Sequence, residues 1–187
     1  MSTTTVKRIR RAATALLIVD LQERLLPAIC EQQKVVQNCT RLIKGAAVLG
    51  LPTFITEQYR KGLGTTVPEI LNALPTGVSP VEKLVFSACG AAGCVEFLKQ
   101  KNIADVLLCG IETHVCVSQT CLDLLEKGFD VFVVADAASS RTPENHQLGL
   151  ERMRGSGAVT VSTEMALFEL IERAGTEEFK QVLGLVK

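Results

Sequence analysis

An acid, a base and a thiol each lie at or near the end of a short apolar run. Asp20 closes one such run, Lys83 lies within another, and Cys116 follows a third by a short turn. A thiol can act as a nucleophile, a carboxylate can carry its proton, and an ammonium group can stabilise the charges that develop. Brought together, these three side chains would suit covalent catalysis by cysteine.

Each of these residues also has a purely structural interpretation. Asp20 is placed to cap a helix beginning near Gln22, and a lysine near a strand end is usually solvated. Cys116 can be a buried apolar cysteine, which is what we expect of the other six cysteines. Its position distinguishes it, because the helical run Val117–Leu125 follows it and the free amides of a helix start favour a thiolate. An activated Cys116 is therefore expected to alkylate rapidly below neutral pH.

The elements that must position these residues follow from an alternation of apolar runs and helical periods. This pattern predicts an α/β fold in which a parallel sheet is covered by helices on both faces. Helical period is clearest in Lys34–Leu49 and Val115–Leu125. Ligands bind at the carboxyl ends of such strands, which is where the three residues lie. The predicted strands are Ala15–Asp20, Thr53–Thr56, Val81–Val85, Val106–Gly110, Val131–Ala135 and Ala158–Ser162.

Three further helix starts are indicated by a hydroxyl residue followed by Pro or Glu, at Thr142, Ser162 and Thr176. The first of these helices is expected to end at Gly155. The segment Glu57–Ser79 has no clear period. A loop of this length usually lines a site, although a surface excursion without function remains an alternative.

Composition restricts the class of protein and its partners. A chain of 187 residues with 47% hydrophobic content predicts one domain over residues 1–187, with residues 1–12 as an exposed N-terminal arm. Twenty basic and twenty acidic residues cancel, which argues against nucleic acid or an anionic membrane and favours a small-molecule substrate. No apolar run reaches the ~20 residues of a membrane span.

Cysteine usage indicates the compartment. The chain contains seven cysteines without paired spacings, which predicts a reducing environment and hence the cytoplasm. The first residues are rich in Ser, Thr and Arg and faintly resemble a mitochondrial presequence.

Three segments resemble the signature segments of the isochorismatase-like hydrolases. They are Leu17–Gln22, Glu82–Ala88 and Gly110–Val117, and the similarity runs in the same order from about Ala13 to Leu170. The resemblance implies a three-layer α/β/α fold with a six-stranded parallel sheet. It also implies cysteine hydrolysis of a small amide, carbamoyl or related C–N substrate through a thioester, with no cofactor. A homo-oligomer is expected, because proteins of this kind commonly are.

The resemblance assigns a role to each candidate residue. Cys116 would attack the substrate carbon, Asp20 would accept the thiol proton, and Lys83 would stabilise both charges. A cis peptide between Ile111 and Glu112 would aim the amides of Glu112 and Cys116 at the oxyanion. We expect the substrate pocket to include Gln22, Tyr59, Phe86, Ile111 and His114.

Departures from the family pattern narrow the function. The interval from Leu21 to Glu82 contains no histidine, although nicotinamidases of the family place metal ligands there, so no metal is expected. True isochorismatases lack the cysteine, so Cys116 argues against that reaction. His114 is not favoured as the general base, and His146 is expected to be a surface residue.

Two other classes of function remain open. A binding or regulatory scaffold with little turnover is the main alternative to a hydrolase. A nuclease is the weakest, since charge is balanced and the chain has one Tyr, no Trp and no histidine pair.

Overall fold

The structure, a computed structural model, describes residues 6–187 and contains one parallel sheet. Its strands are β1 (Thr14–Val19), β2 (Thr53–Gln58), β3 (Val81–Lys83), β4 (Asp105–Ile111), β5 (Asp130–Ser139) and β6 (Val159–Val161). Their order is β3-β2-β1-β4-β5-β6, and every neighbouring pair runs parallel. The predicted six-stranded parallel sheet is confirmed.

Eight α-helices connect the strands within the described residues. They are α1 (Gln32–Leu49), α2 (Arg60–Leu63), α3 (Pro68–Leu71), α4 (Cys94–Gln100), α5 (Ser118–Glu126), α6 (Pro143–Gly155), α7 (Thr163–Ile171) and α8 (Glu177–Val186). The predicted starts are correct. The side chains of Thr142, Ser162 and Thr176 each accept the backbone N–H of the residue three positions later. Three 3-10 turns, Arg11–Ala13, Leu26–Ala28 and Ala88–Gly90, and one π-turn, Thr113–Val117, complete the described elements.

The apolar core lies in two layers, one on each face of the sheet. Alternate residues of β1 face opposite sides, so Leu16 and Ile18 pack with α1, α3, α7 and α8, while Leu17 and Val19 pack with α4, α5 and α6. Strands buried on both faces are apolar at nearly every position, which explains the continuous runs in the sequence. The predicted three-layer α/β/α architecture is therefore correct.

Several predicted boundaries are wrong at the carboxyl edge of the sheet. β2 continues past Thr56 to Gln58, and β3 stops at Lys83 instead of Val85. The predicted helix Val115–Leu125 begins as the π-turn, and its α-helical part starts at Ser118. The edge thus carries more polar residues in regular structure than the apolar pattern indicated.

The N-terminal arm is not wholly exposed as predicted. Residues 1–5 lie outside the described residues. Ile9 is buried against the α1 face, and the backbone and side chain of Arg10 bond to the carboxylate of Asp105 at 2.9 Å and 3.0 Å. Within residues 6–187, no helix combines the length and apolar character needed to cross a bilayer.

Candidate active site

Asp20 is placed by a close approach of β1 and β4. It follows the last residue of β1 and has a φ of 55°. At the same level Gly110 has a φ of 113°, and a Cβ there would lie 2.1 Å from the carbonyl oxygen of Val19. Only glycine fits this position, and the absence of its side chain lets the two strand ends meet beside Asp20.

A row of polar side chains crosses the carboxyl edge from β3 to β1. Lys83 ends β3, and its Nζ donates at 2.7 Å to Oδ2 of Asp20 and at 2.7 Å to Oε1 of Gln58, the last residue of β2. Oδ1 of Asp20 accepts the hydroxyl of Thr56 at 2.7 Å. The ammonium and the carboxylate thus form a buried, hydrogen-bonded ion pair.

Cys116 joins this row from the other side of β1. It lies in the π-turn that follows β4, and its carbonyl accepts the hydroxyl of Thr120 at 2.6 Å. The exposed fractions of Asp20, Lys83 and Cys116 are 0%, 3% and 6%. Both charged groups act on the pKa of the Cys116 thiol, so the three predicted catalytic side chains lie together.

The pKa directions at these groups describe a thiol beside a base. Burial raises the pKa of Asp20, against the opposing effects of Lys83, Thr56 and Cys116. Burial, followed by the charge of Asp20, raises the pKa of the Cys116 thiol to about 12, while Lys83 lowers it. This direction is opposite to the lowered pKa expected of an activated Cys116, and rapid alkylation below neutral pH stays a prediction. The thiol proton is held next to a carboxylate that can remove it.

The turn that carries Cys116 begins at a cis peptide between Ile111 and Glu112, as predicted. The Glu112 carboxylate accepts the backbone N–H and Nε of Arg141, both at 3.0 Å. His114 is half-buried, and its Nδ1 lies 3.0 Å from the hydroxyl of Ser140. The side chains of the turn are thereby fixed to the end of β5.

Helix α6 supports the same turn from outside. Nδ1 of His146 lies 2.8 Å from the hydroxyl of Thr113, so His146 is not the free surface residue that was predicted. A Cβ on Gly149 would lie 3.1 Å from the amide nitrogen and Cα of His114. Close packing of α6 therefore depends on a glycine two turns above its start.

Two predicted pocket residues have structural roles here. Gln22 is fully buried; its Oε1 accepts the N–H of Gln58, and its Nε2 donates to the carbonyls of Gln58 and Gly64. Ile111 is fully buried in the core layer that packs on α1. Their surroundings favour fixing the scaffold over the predicted contact with substrate.

The segment Glu57–Ser79, which was predicted to line the site, is hydrogen-bonded to the end of β2. Glu57 accepts the N–H and hydroxyl of Thr66 at 2.6 Å and 2.7 Å. Tyr59 has a φ of 38°, and a Cβ on Gly62 would lie 2.4 Å from its ring. The ring therefore rests on the backbone of α2, and it is half exposed, as is Phe86.

Residues missed by the sequence prediction are Thr56 and Gln58. Both lie in β2, between the strands that carry Lys83 and Asp20. The same rule that selected Asp20, a polar residue at the carboxyl end of a strand, would have selected Gln58 had β2 been extended by two residues. Of the six other cysteines, four are buried as expected, whereas Cys30 and Cys89 are only partly buried.

In the part of the chain that the structure describes, no cluster of three or more His, Cys, Asp or Glu side chains is arranged to hold a metal ion. The buried groups around Cys116 are already paired with one another. The arrangement can move a proton between sulfur and carboxylate and hold charge beside them.

Comparison with known proteins identifies the family of the chain. The model of the isochorismatase domain matches residues 14–165. The "Secreted isochorismatase effector Isc1" of Phytophthora sojae is 42% identical over 180 residues, covering 94% of this chain and 85% of that protein. The mouse "Isochorismatase domain-containing protein 2A" is 40% identical over 180 residues, covering 96% and 85%.

Solved structures agree in fold. The MAR1 ribonuclease of Caenorhabditis elegans superposes with a TM-score of 0.92 at 37% identity, covering 96% of this chain and 92% of that one. YcaC of Pseudomonas aeruginosa, described with hexane-2,5-diol and covalent acrylamide, gives 0.90 at 29% identity, covering 98% and 93%. YcaC of Escherichia coli, described as an octameric hydrolase of unknown specificity, gives 0.90 at 26%, covering 98% and 92%. This chain belongs to the isochorismatase family, whose members are hydrolases.

Proposed function

We propose that this protein is a metal-independent cysteine hydrolase that cleaves a small amide, carbamoyl or related C–N substrate. The observation that carries the proposal is the buried ion pair of Lys83 and Asp20, 2.7 Å between Nζ and Oδ2, beside the thiol of Cys116. A buried pair of charges is expensive to desolvate and is seldom a gain in stability. Its position next to a nucleophile supports a chemical role.

In the proposed first step, sulfur of Cys116 attacks the substrate carbon while Asp20 takes the thiol proton. The new C–S bond produces an oxyanion, which the amides of Glu112 and Cys116 would stabilise. The C–N bond then breaks, and Asp20 returns the proton to the leaving nitrogen. A thioester, or its carbamoyl equivalent, remains on Cys116.

In the second step water attacks this intermediate, and Asp20 now accepts a proton from water. The C–S bond breaks, the acid leaves, and the proton returns to sulfur. Lys83 offsets negative charge first on the carboxylate and then on sulfur. The raised pKa of Asp20, caused by burial, suits a group that must both accept and donate a proton.

The relatives support an electrophile-reactive site. The Pseudomonas aeruginosa YcaC is described with covalent acrylamide, and the Escherichia coli protein is described as a hydrolase. Acrylamide is both an electrophile for thiols and a small amide. It is therefore a suitable first probe of Cys116.

The test is hydrolysis of a panel of small amides and carbamoyl compounds by the wild type and Cys116→Ala. Cys121→Ala is a matched control, because it removes another buried thiol, from the helix that follows the π-turn. We expect turnover in the wild type and control and none in Cys116→Ala. Equal turnover in both variants would overturn the proposal, and turnover in none would favour a binding scaffold.

Metal independence has its own test. Exhaustive treatment with EDTA is expected to leave turnover unchanged, since the proposed steps use only protein side chains. Loss of activity on chelation, with recovery on addition of zinc or iron, would show that a ligand set has been overlooked.

A ribonuclease is the second candidate, because the C. elegans neighbour carries that name. The zero net charge of this chain argues against RNA as the substrate, because RNA-binding proteins usually carry an excess of positive charge. Incubation with labelled RNA, using wild type and Cys116→Ala, distinguishes the two candidates. RNA cleavage that survives purification and disappears in Cys116→Ala would favour the nuclease. Isochorismate belongs in the same comparison, given the name of the Phytophthora relative.

We also propose that the protein is a homo-oligomer. The apolar ridge Leu84, Val85 and Phe86 follows the catalytic Lys83, and these residues are 72%, 54% and 51% exposed in the single chain. Such a patch usually marks an interface, and the related YcaC is octameric. A second copy of the chain would cover it.

Light scattering of the purified protein tests the assembly. Phe86→Ser is expected to lower the molar mass towards that of one chain, whereas Met165→Ser, an exposed apolar residue on α7, is expected to leave it unchanged. A monomeric wild type would overturn the assignment.

We further propose a cytoplasmic location, on the ground of seven free cysteines. Imaging of the protein fused at its C-terminus to a fluorescent protein tests this, and signal in mitochondria would contradict it.

A further inference from the structure

One buried polar residue at the site has no part in the steps above. Gln58 ends β2, opposite Lys83 in the β2–β3 register, and is only 8% exposed. We propose, resting on the proposed function, that Gln58 is a positioning residue: its amide oxygen holds the ammonium of Lys83 between Asp20 and Cys116.

The hydrogen bonds of Lys83 account for its donors. An ammonium group has three N–H donors and no acceptor. Asp20 and Gln58 take two of them, each at 2.7 Å. In the proposed arrangement the third donor faces the sulfur of Cys116, whose pKa Lys83 lowers. Gln58 thus sets the direction in which the last donor points.

The orientation of the Gln58 amide is determined by its other partner. Its Nε2 donates to the carbonyl oxygen of Leu84 at 2.8 Å, and a carbonyl can only accept. The amide oxygen must therefore face Lys83. A carboxylate here would bring a second negative charge to the thiol, whereas the amide supplies an acceptor without charge.

Gln22 holds the backbone of Gln58 from the far side. Its Oε1 accepts the N–H of Gln58 at 2.7 Å, and its Nε2 donates to the carbonyl of Gln58 at 3.0 Å. Both ends of the Gln22 side-chain amide thereby fix the backbone of Gln58. Gln22 thus holds Gln58, and Gln58 in turn holds the ammonium of Lys83. Such support from a second row of residues is typical of a group whose orientation matters.

The test is a double-mutant cycle with Gln58→Met and Lys83→Met, read out as the rate at which acrylamide alkylates Cys116 across neutral to alkaline pH. Alkylation is followed on the Cys116 peptide by mass spectrometry, because other thiols also react. Gln58→Met is expected to slow alkylation at fixed pH by about three- to tenfold and to move the profile to higher pH. In the Lys83→Met background the same change is expected to have no further effect.

Thr66→Val is the matched control. It removes a buried 2.7 Å hydrogen bond, to Glu57, near the same strand end but has no contact with Lys83. Its alkylation profile should equal that of the wild type. Gln58→Asn, which keeps the amide but shortens the side chain, is a second variant for the case in which Gln58→Met does not fold. It is expected to slow alkylation in the same way.

The outcomes separate this inference from the proposed function. An unchanged profile in both Gln58 variants, or equal slowing with and without Lys83, overturns the positioning role. A wild-type profile in Lys83→Met overturns the role of Lys83 itself. Failure of the substrate panel bears on the hydrolase and leaves the alkylation cycle interpretable.

Discussion

At the scale of single residues, the site combines an ion pair, Asp20 and Lys83, with the neighbouring thiol of Cys116. The carboxylate of Asp20 is paired with Lys83, and burial together with Asp20 raises the pKa of the thiol beside them to about 12. The proposed nucleophile and base are thus coupled, so the titration of each depends on the other. Substitutions at Asp20 and Lys83 are expected to separate alkylation from hydrolysis.

Asp20→Asn is expected to lower hydrolysis by at least about a hundredfold, because it removes the proton acceptor. It also removes the negative charge that raises the thiol pKa, so alkylation of Cys116 should be as fast as in the wild type or faster. Steady-state turnover and mass-spectrometric alkylation measure the two. Parallel loss of both would show that Asp20 only maintains the fold.

Lys83→Met is expected to slow both reactions. The variant loses the positive charge that lowers the thiol pKa, which corresponds to about tenfold less thiolate per pKa unit at a fixed pH. The same two assays apply. If Asp20→Asn and Lys83→Met both keep turnover within about threefold of the wild type, or ~0.7 kcal/mol, the assignment of these residues is wrong.

The three proposed catalytic side chains could be selected from the sequence because each is a chemically distinctive residue beside an apolar strand. Gln58 could not be selected in this way, because a neutral amide is neither an acid, a base nor a nucleophile. The apolar pattern also ended β2 at Thr56. The side chain of Gln58 is hydrogen-bonded to Lys83 and Leu84, which lie in another segment of the chain. The altered pKa of Cys116 was missed for a similar reason, since the burial that raises it is a property of the folded chain.

At the scale of elements, the π-turn Thr113–Val117 depends on what packs against it. Helix α6 contacts the turn through Gly149 and His146, and the hydroxyl of Thr120 in α5 bonds the carbonyl of Cys116. The same hydroxyl accepts the N–H of Ala88. The turn and the sulfur of Cys116 are therefore held by elements that contribute none of the proposed catalytic groups.

Gly149→Ala is expected to lower kcat by about tenfold, because the added methyl meets the backbone of His114 and shifts the turn that carries Cys116. Gly155→Ala is the control. It is the same change in the same helix, where an added Cβ meets nothing within 4 Å, and it should raise stability by about 0.5–1 kcal/mol with unchanged kcat. Equal kcat in both variants would contradict the role of the turn.

The order of elements was predictable to a greater extent than their ends. Apolar runs located all six strands, and capping residues located the starts of α6, α7 and α8. The end of β3 was predicted wrongly because Leu84 and Val85 are apolar yet exposed in the single chain. The apolar pattern of the sequence shows only the polarity of each residue. Where a strand ends depends on its backbone hydrogen bonds to the neighbouring strand.

At the scale of the whole molecule, the thiols make stability depend on alkaline pH. The pKa values of Cys94, Cys116 and Cys121 are raised by burial to about 12, and that of Cys89 to about 11, from an ordinary value of 9.0. Below pH 9.0 folded and unfolded chains both keep these protons. Above it the unfolded chain releases them first, so the free energy of unfolding falls up to about pH 12.

Urea unfolding at a series of pH values measures this fall. The double variant Cys94→Ala and Cys121→Ala should show a shallower decline than the wild type, because two of the thiols with a raised pKa are gone. Lysine titration affects both proteins alike, so the difference in slope is the informative quantity. Identical slopes would mean that these thiols keep their ordinary pKa in the folded chain.

The polar row at the carboxyl edge has a consequence for biosynthesis. Its members come from the ends of β1, β2 and β3 and the turn after β4, so a ribosome must release most of the polypeptide before any of the chemistry exists. A truncated or nicked chain that has lost one of these segments lacks a partner for a buried charge. Alkylation that depends on Lys83 would therefore serve as a reporter of completed folding in a cell extract, without knowledge of the natural substrate.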